Sequence, residues 1–364
     1  MAVSDLARPL ELPRGPAMLN RLMLAPMTSD QATPDGRVTD DELRWLGMRA
    51  RGGFGFIMTS ACYVQASGKV GKGQFGIFSD DHIEGYARLA AVIKAEGRPA
   101  ALQLHHGGYR CPKTCVPQAV GPSDDPESGA RGLTIGEVEA LVGDFVAAAV
   151  RAQRAGFDGV ELHGAHGYIL TQFLSTTENR RTDRYGGSLE NRARIIFEIV
   201  EGIRAACRPD FQLGLRLSPE RYGLRIAEMR ALAAEIMHQG RIDFLDMSLW
   251  DARKEPVEEE FGGRPLAAWF TDLARGDVRL GVAGKIMTPR VAAEVLDLGA
   301  DFVLIGRAAI LHHDFAARGL ADPDFEPVSL PVSADHLAAE GLGARFLRYM
   351  ATWDNFVAKA VTAS

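Results

Sequence analysis

The sequence predicts one closed (β/α)8 barrel over residues 1–330, with extended strand-to-helix loops, followed by a C-terminal helical extension over 331–364. Three observations carry that prediction. Short apolar runs recur eight times along the chain. Stretches of helical periodicity lie between them. No linker or shift in composition divides the chain. Runs that are apolar throughout suit strands buried on both faces, and strands alternating with helices imply parallel pairing with right-handed crossovers. Eight such units in 364 residues fit a closed barrel better than an open doubly wound sheet.

The strand candidates are Arg21–Thr28, Phe54–Ser60, Ala100–His106, Gly159–Gly164, Gln212–Ser218, Phe244–Leu249, Arg279–Gly284 and Phe302–Arg307. The clearest helix is Thr134–Ala155, which opens with Thr134 and carries Glu137 at capping-box spacing. Ser188–Ala206, Arg225–His238 and Pro289–Leu298 follow the same pattern. Four loops after strand C-termini are long: Ala61–Asp80, Gly107–Gly132, Ala165–Gly187 and Trp250–Gly263. In a barrel that end is the ligand-binding end. The extension is expected to pack on the barrel or on a neighbouring copy, and the second placement would make the protein a homo-oligomer.

Composition narrows the function classes. The chain is 46% hydrophobic and 24% charged, which is a globular balance. Its 41 basic and 47 acidic residues give a net charge of -6, against the basic excess of a nucleic-acid binder. No apolar run approaches the about 20 residues of a membrane span, and the start has no apolar signal segment. Four cysteines (Cys62, Cys111, Cys115 and Cys207) are too few for a disulfide framework or an iron–sulfur ligand set, so a reducing cytoplasm is expected. Cys111 and Cys115 read as an ordinary loop pair, and the carboxylates Glu258, Glu259 and Glu260 as a solvated loop face.

Side chains two apart share a strand face. Gln103 and His105 therefore share one, Glu161 and His163 another, and Gly214 and Arg216 a third. Barrel interiors are normally filled by branched apolar residues, and burying unpaired polar groups costs several kcal/mol. Either these groups satisfy each other, for instance Glu161 with Arg216, or a ligand at the barrel mouth satisfies them. The last two strands add a second signal. Gly284 and Gly306 each precede a helix, and Arg307 can fork onto phosphate oxygens. Barrels commonly hold a phosphate after strands seven and eight.

The segment after the fourth strand adds a resemblance. Glu161–Arg192 reads ELHGAHGYILTQFLSTTENRRTDRYGGSLENR. With NRLMLAPMT, GIFSDDHIEG, LQLHHGG and GADFVLIGR, it resembles the Old Yellow Enzyme family of flavin oxidoreductases, in order from Asn20 to about residue 320. That resemblance implies a (β/α)8 barrel holding FMN. It places Pro26, Met27 and Thr28 along the flavin, Ser60 near its pyrimidine side, Gln103 at the N3/O2 edge and Arg216 facing N1 and O2. It assigns the phosphate to Ala283, Gly284, Lys285, Gly306 and Arg307. His163 and His166 would hydrogen-bond the substrate's activating oxygen, and Tyr168 would donate a proton.

The implied activity is reduction of electron-poor C=C bonds of α,β-unsaturated carbonyl or nitro compounds, with NADPH or NADH as hydride donor. Alternatives are other FMN barrel chemistry, such as oxidative demethylation or dihydropyrimidine oxidation, and a non-catalytic flavin- or aromatic-binding barrel. His163 and His166 read poorly as a metal pair, lacking a third ligand and i,i+4 helical spacing. Without the resemblance Tyr168 reads equally as a packing tyrosine, and His105 and His106 as caps on the third strand. One branch of the family has cysteine where Thr28 stands and tyrosine where Asp30 stands, so this chain mixes features of two branches. Tyr109, Trp250 and Phe261, on unassigned loops, are candidate pocket-lining residues.

Overall fold

A computed structural model describes residues 3–359. Residues 360–364 of the expected extension lie outside the described part. Eight strands form the barrel: β1 (Leu22–Leu24), β2 (Phe56–Met58), β3 (Ala100–His105), β4 (Gly159–Gly164), β5 (Gln212–Leu217), β6 (Phe244–Ser248), β7 (Arg279–Ala283) and β8 (Phe302–Ile305). Each pairs in parallel with the next, and β8 closes on β1 through Leu22–Val303, Met23–Leu304 and Leu24–Ile305. Every strand falls within its predicted run. Two short features escape the apolar pattern: Cys62–Tyr63, which pairs with β3, and a two-residue pairing of Val120–Gly121 with Arg131–Gly132 in the third loop.

The helices are α1 (Asp40–Arg51), α2 (Ile83–Ala95), α3 (Ile135–Arg154), α4 (Ile169–Leu174), α5 (Leu189–Ala206), α6 (Ile226–Gln239), α7 (Ala268–Thr271), α8 (Pro289–Asp297), α9 (Arg307–Leu311) and α10 (Phe315–Ala321). Local chemistry explains where the longer ones begin. Thr134 and Glu137 form a reciprocal capping box on α3, contributing about 1 kcal/mol. Ser188 caps α5 and Thr288 caps α8, where Pro289 takes the first-turn position that needs no N–H. Glu258 is only half-buried and accepts from Ile226 N–H at 2.8 Å, so it holds the start of α6 while Glu259 and Glu260 remain exposed.

The barrel interior separates into two halves. The lower half is apolar: Met23, Phe56, Ala101, Phe244 and Phe302 pack there with Leu10, Leu12 and Met18 from the N-terminal segment. Phe244 stands edge-on to Phe56 and Phe302, at 6.1 and 6.0 Å between ring centroids. Glycines make room for those rings. A Cβ on Gly214 would lie 2.2 Å from Phe244, and one on Gly281 2.3 Å from Phe302. The upper half carries the polar residues considered below.

Residues 331–359 add α11 (Ala334–Ala339) and α12 (Ala344–Met350), which lie against α1 and the loop after β1. Phe346 meets Trp45 edge-on at 4.8 Å, and Arg49 Nη1 donates to the Glu340 carbonyl at 2.7 Å. Gly343 N–H donates to Gln31 Oε1 at 2.9 Å. This docking brings Tyr349 and Trp353 to the barrel mouth.

Candidate active site

Two cavities, about 590 and 420 Å³, open at the C-terminal end of the barrel. They share Pro26, Met27, Arg110, His166, Tyr168, Arg216 and Tyr349 in their walls and so form one trough. Each falls in the roughly 300–1,000 Å³ range of small-molecule sites. Every residue that the resemblance assigned to cofactor or substrate reaches it. Thr28, Ser60, Gln103, His105 and His163 line the first lobe; Ala283, Gly284, Lys285, Gly306 and Arg307 line the second.

The strand register explains the floor. Gln103, Glu161 and Gly214 are neighbours across β3, β4 and β5; one step higher, His163, Arg216 and Asp246 are neighbours across β4, β5 and β6. Glu161 pairs with Gln103, whose Nε2 donates to its Oε1 at 2.7 Å. That leaves the Gln103 carbonyl oxygen as an acceptor toward the trough. Arg216 turns to Asp246, with Nε 2.8 Å from Oδ2, an ion-pair contact whose N–H is not aimed along a hydrogen bond. The Glu161–Arg216 pairing considered from sequence is thus replaced by two other partnerships. Asp246 was overlooked, although it shares an inward strand face with Phe244 and Ser248.

Burial sets the protonation states. Burial and the neighbouring Asp246 carboxylate hold Glu161 well above the usual carboxylate range. Burial also raises Asp246, while the Arg216 guanidinium pulls it back, so Asp246 is the ionised member. Burial lowers His163 and His166 well below their ordinary value, with nearby imidazoles and Arg216 adding to it. Both rings are therefore neutral near pH 7, each with a single N–H.

Ser248 ties the His166 ring to Arg216. Arg216 Nη2 donates to Ser248 Oγ at 3.1 Å, and the same hydroxyl hydrogen-bonds with His166 Nε2 at 2.8 Å. The backbone of His166 is in the left-handed region (φ 63°), with its N–H on Ser218 Oγ at 3.0 Å. Ring centroids of His163 lie 5.0 Å from His166 and 5.2 Å from Tyr168, and His105 stands edge-on to Tyr168 at 4.3 Å. Among the described residues the Tyr168 hydroxyl has no hydrogen-bond partner, and the residue lines both lobes. Burial raises its pKa, so the phenol stays protonated.

The loop after β1 is tied down by Glu42, which sequence reasoning missed. Glu42 accepts from Ser29 at 2.7 Å, Gln31 at 2.8 Å and Ser60 at 3.2 Å. The single Ser60 hydroxyl hydrogen is shared with the Met27 carbonyl, the nearer acceptor at 2.6 Å, so it braces this loop from the trough wall. In the second lobe, Gly284 lies too close to the next loop for a side chain: a Cβ would sit 2.7 Å from Ala252 N. Lys285 is left-handed (φ 47°) and its ammonium pairs with Asp251 at 3.1 Å, whereas Arg307 has no ion-pair partner among the described residues.

Three expectations change. Tyr109 turns away from the trough, its hydroxyl donating to the Ser123 carbonyl at 2.8 Å. Phe261 packs on Trp269 at 5.0 Å instead. Of the three proposed lining aromatics, Trp250 alone lines the trough. His106 accepts from Gly108 N–H and so fits the capping role, but both ring nitrogens of His105 are buried without a partner in the trough wall. The His312–His336–Glu340 cluster lies elsewhere, under the extension. Val328 N–H donates to His312 Nε2, so on the neutral ring the proton sits on Nδ1.

The sequence profile of the NADH:flavin oxidoreductase / NADH oxidase family matches residues 5–320. The chain belongs to this family. It is 35% identical over 325 residues to a protein of Bacillus subtilis named a probable NADH-dependent flavin oxidoreductase, covering 86% of this chain and 87% of that one. The Old Yellow Enzyme homologue of Zymomonas mobilis superposes with a TM-score of 0.78 at 27% identity, covering 92% of this chain and 96% of the other. A 2-naphthoyl-CoA reductase superposes equally well (TM-score 0.78, 28% identity, 87% of this chain), and the chain spans about half of it, 52%. As a member of the Old Yellow Enzyme family, the protein is an NAD(P)H-dependent FMN oxidoreductase.

The trough fits FMN. Its wall holds buried polar atoms without partners, on His105 and His163, which a polar occupant would satisfy. The Gln103 acceptor and Arg216 suit a ring edge with an N–H and a site of developing negative charge. Gly284, Gly306 and Arg307 suit a phosphate. Among the described residues no helix is long and apolar enough to cross a membrane.

Proposed function

We propose that the protein is an ene-reductase, reducing the C=C bond of α,β-unsaturated carbonyl or nitro compounds. Pro26, Met27, Thr28, Ser60, Gln103 and Arg216 would hold the FMN ring, and Ala283, Gly284, Lys285, Gly306 and Arg307 its phosphate. Bound there, FMN would supply the hydride chemistry between NAD(P)H and the alkene's β carbon. His163 and His166, both neutral, donate N–H groups to the carbonyl or nitro oxygen. Negative charge grows on that oxygen as the double bond is reduced, and fixed donors in a water-poor wall stabilise it. Tyr168 holds the proton that the α carbon needs. Its phenol, near pKa 10 when unperturbed, is a competent acid toward so basic a carbon.

One observation supports this reading above the rest: a protonated tyrosine hydroxyl with no protein partner and two neutral histidines face the same trough as Arg216. Anaerobic stopped-flow on Tyr168→Phe tests it. Flavin reduction by NADPH or NADH should keep its rate, and reoxidation by cyclohexenone should slow by about 10²–10⁴-fold. Equal slowing of both half-reactions, or of neither, would remove Tyr168 from the proton-donor role.

A further inference from the structure

Arg110 closes the one-turn segment Gly108–Arg110 after β3 and enters the wall of both lobes. Its Nη1 donates to the His166 carbonyl at 2.6 Å, and its guanidinium carbon lies 5.2 Å from the centre of the Tyr168 ring. These contacts aim it at the trough without neutralising it: among the described residues no carboxylate forms an ion pair with it. Its acidic neighbour Glu178 has its carboxyl pushed up to about 7 by burial, and so offers a reduced charge.

Lys72 stands in the first lobe's wall, exposed and likewise without an ion pair among the described residues. Of the trough's other cations, Arg307 also lacks an ion pair among the described residues but lines the second lobe alone, away from Lys72, and the remaining two are held. Asp246 holds Arg216, and Asp251 holds Lys285. Asp30 is the single carboxylate in the wall of the first lobe, and its Oδ1 already accepts from Gly73 N–H at 2.9 Å. The rim beside Tyr168 thus presents two uncommitted cations against one engaged carboxylate.

We propose that Arg110, supported by Lys72, is an anion subsite, and that the preferred alkenes carry a carboxylate on the side away from the His163–His166 pair. The inference rests on the reading of the trough as an alkene site. With the activating oxygen at the histidines and the α carbon at Tyr168, a further substituent passes beneath the guanidinium. Arginine's planar fork suits a carboxylate, and here only one of its terminal nitrogens is spent on the protein.

The test uses the FMN-loaded protein and ligands that differ by one charge. Calorimetric titration should show 4-hydroxybenzoate binding more tightly than 4-hydroxybenzamide by roughly fivefold at low salt, the size of a half-screened charge contact, and less at high salt. Arg110→Gln should bring that ratio close to one, Arg110→Lys should restore part of it, and Lys72→Gln should lower it less. In turnover, monomethyl maleate should show a lower KM than dimethyl maleate, and Arg110→Gln should remove the difference.

Equal affinities in the parent protein, or a ratio untouched by Arg110→Gln, would overturn the proposal. So would a variant that loses rate with NADH and NADPH but not with reduced nicotinamide riboside, while keeping the acid–amide ratio. The guanidinium would then serve the nucleotide's phosphates. If the acid–amide ratio behaves as expected and no alkene is reduced, the anion subsite stands and the ene-reductase reading falls.

Discussion

Asp246→Asn probes the polar layer under the trough. The carboxylate is fully buried, and Oδ2 lies 2.8 Å from Arg216 Nε. Asparagine keeps the shape and removes the charge, leaving an arginine side chain that is 7% exposed without its counter-ion. Breaking a buried pair from one side costs about 3–5 kcal/mol, because the remaining charge stays desolvated. Glu161 moderates that cost. Asp246 is one reason why its carboxyl stays protonated; with Asp246 gone its pKa falls, and it can ionise under the same guanidinium.

The sign follows from linkage. A carboxyl whose folded pKa is raised contributes stability below its unfolded pKa that is lost as pH climbs through the folded value. In the parent, raising the pH therefore forces a second buried negative charge; in the variant it supplies the missing one. The penalty of Asp246→Asn should be about 3 kcal/mol at pH 7 by urea unfolding of the FMN-free protein, and clearly smaller at pH 9. Adding Glu161→Gln should keep it large at both. A loss below about 1 kcal/mol at pH 7, or one that grows with pH, would refute this account of the layer.

Other predictions test other parts. His163→Ala removes one of two donors at the substrate oxygen, so phenol and enone binding should weaken by about 1–3 kcal/mol in a spectral titration; unaltered affinity would exclude the contact. Ser248→Ala removes the hydroxyl that anchors His166 Nε2 and should weaken the same ligands while leaving FMN affinity within severalfold, measured by fluorescence quenching. Acid should destabilise the fold through buried imidazoles. Burial lowers His105 to about 3 and His106 to about 4, so the stability they contribute is intact above about 6.5 and is lost as pH falls toward those values. His106→Gln should flatten the fall in urea midpoint between pH 6.5 and 4.5.

The barrel was legible because burial on both faces writes itself into strands such as Phe302–Ile305 as unbroken apolar runs, and because Thr134 and Ser188 mark helix starts chemically. The inward polar residues followed from alternation alone. Asp246 obeys the same alternation and could have been found by it. Contacts made across long sequence separations left no local trace. Arg110 reaches His166 from a loop without periodicity, and Tyr349 arrives at the trough through docking of α12 on α1. Tyr109 and Phe261 show the converse: a loop aromatic's direction is set by partners such as the Ser123 carbonyl and Trp269, which sequence spacing does not reveal.

Isotope placement in the product tests the division of labour in the trough most directly. When cyclohexenone is reduced in deuterium oxide with unlabelled NADPH, the solvent label should appear at the α carbon alone. With NADPH deuterated at its transferable position in ordinary water, the label should appear at the β carbon alone. Solvent deuterium at the β carbon, or recovery of unreduced enone with the flavin fully reduced, would contradict a donor tyrosine and a histidine-held oxygen at this barrel mouth.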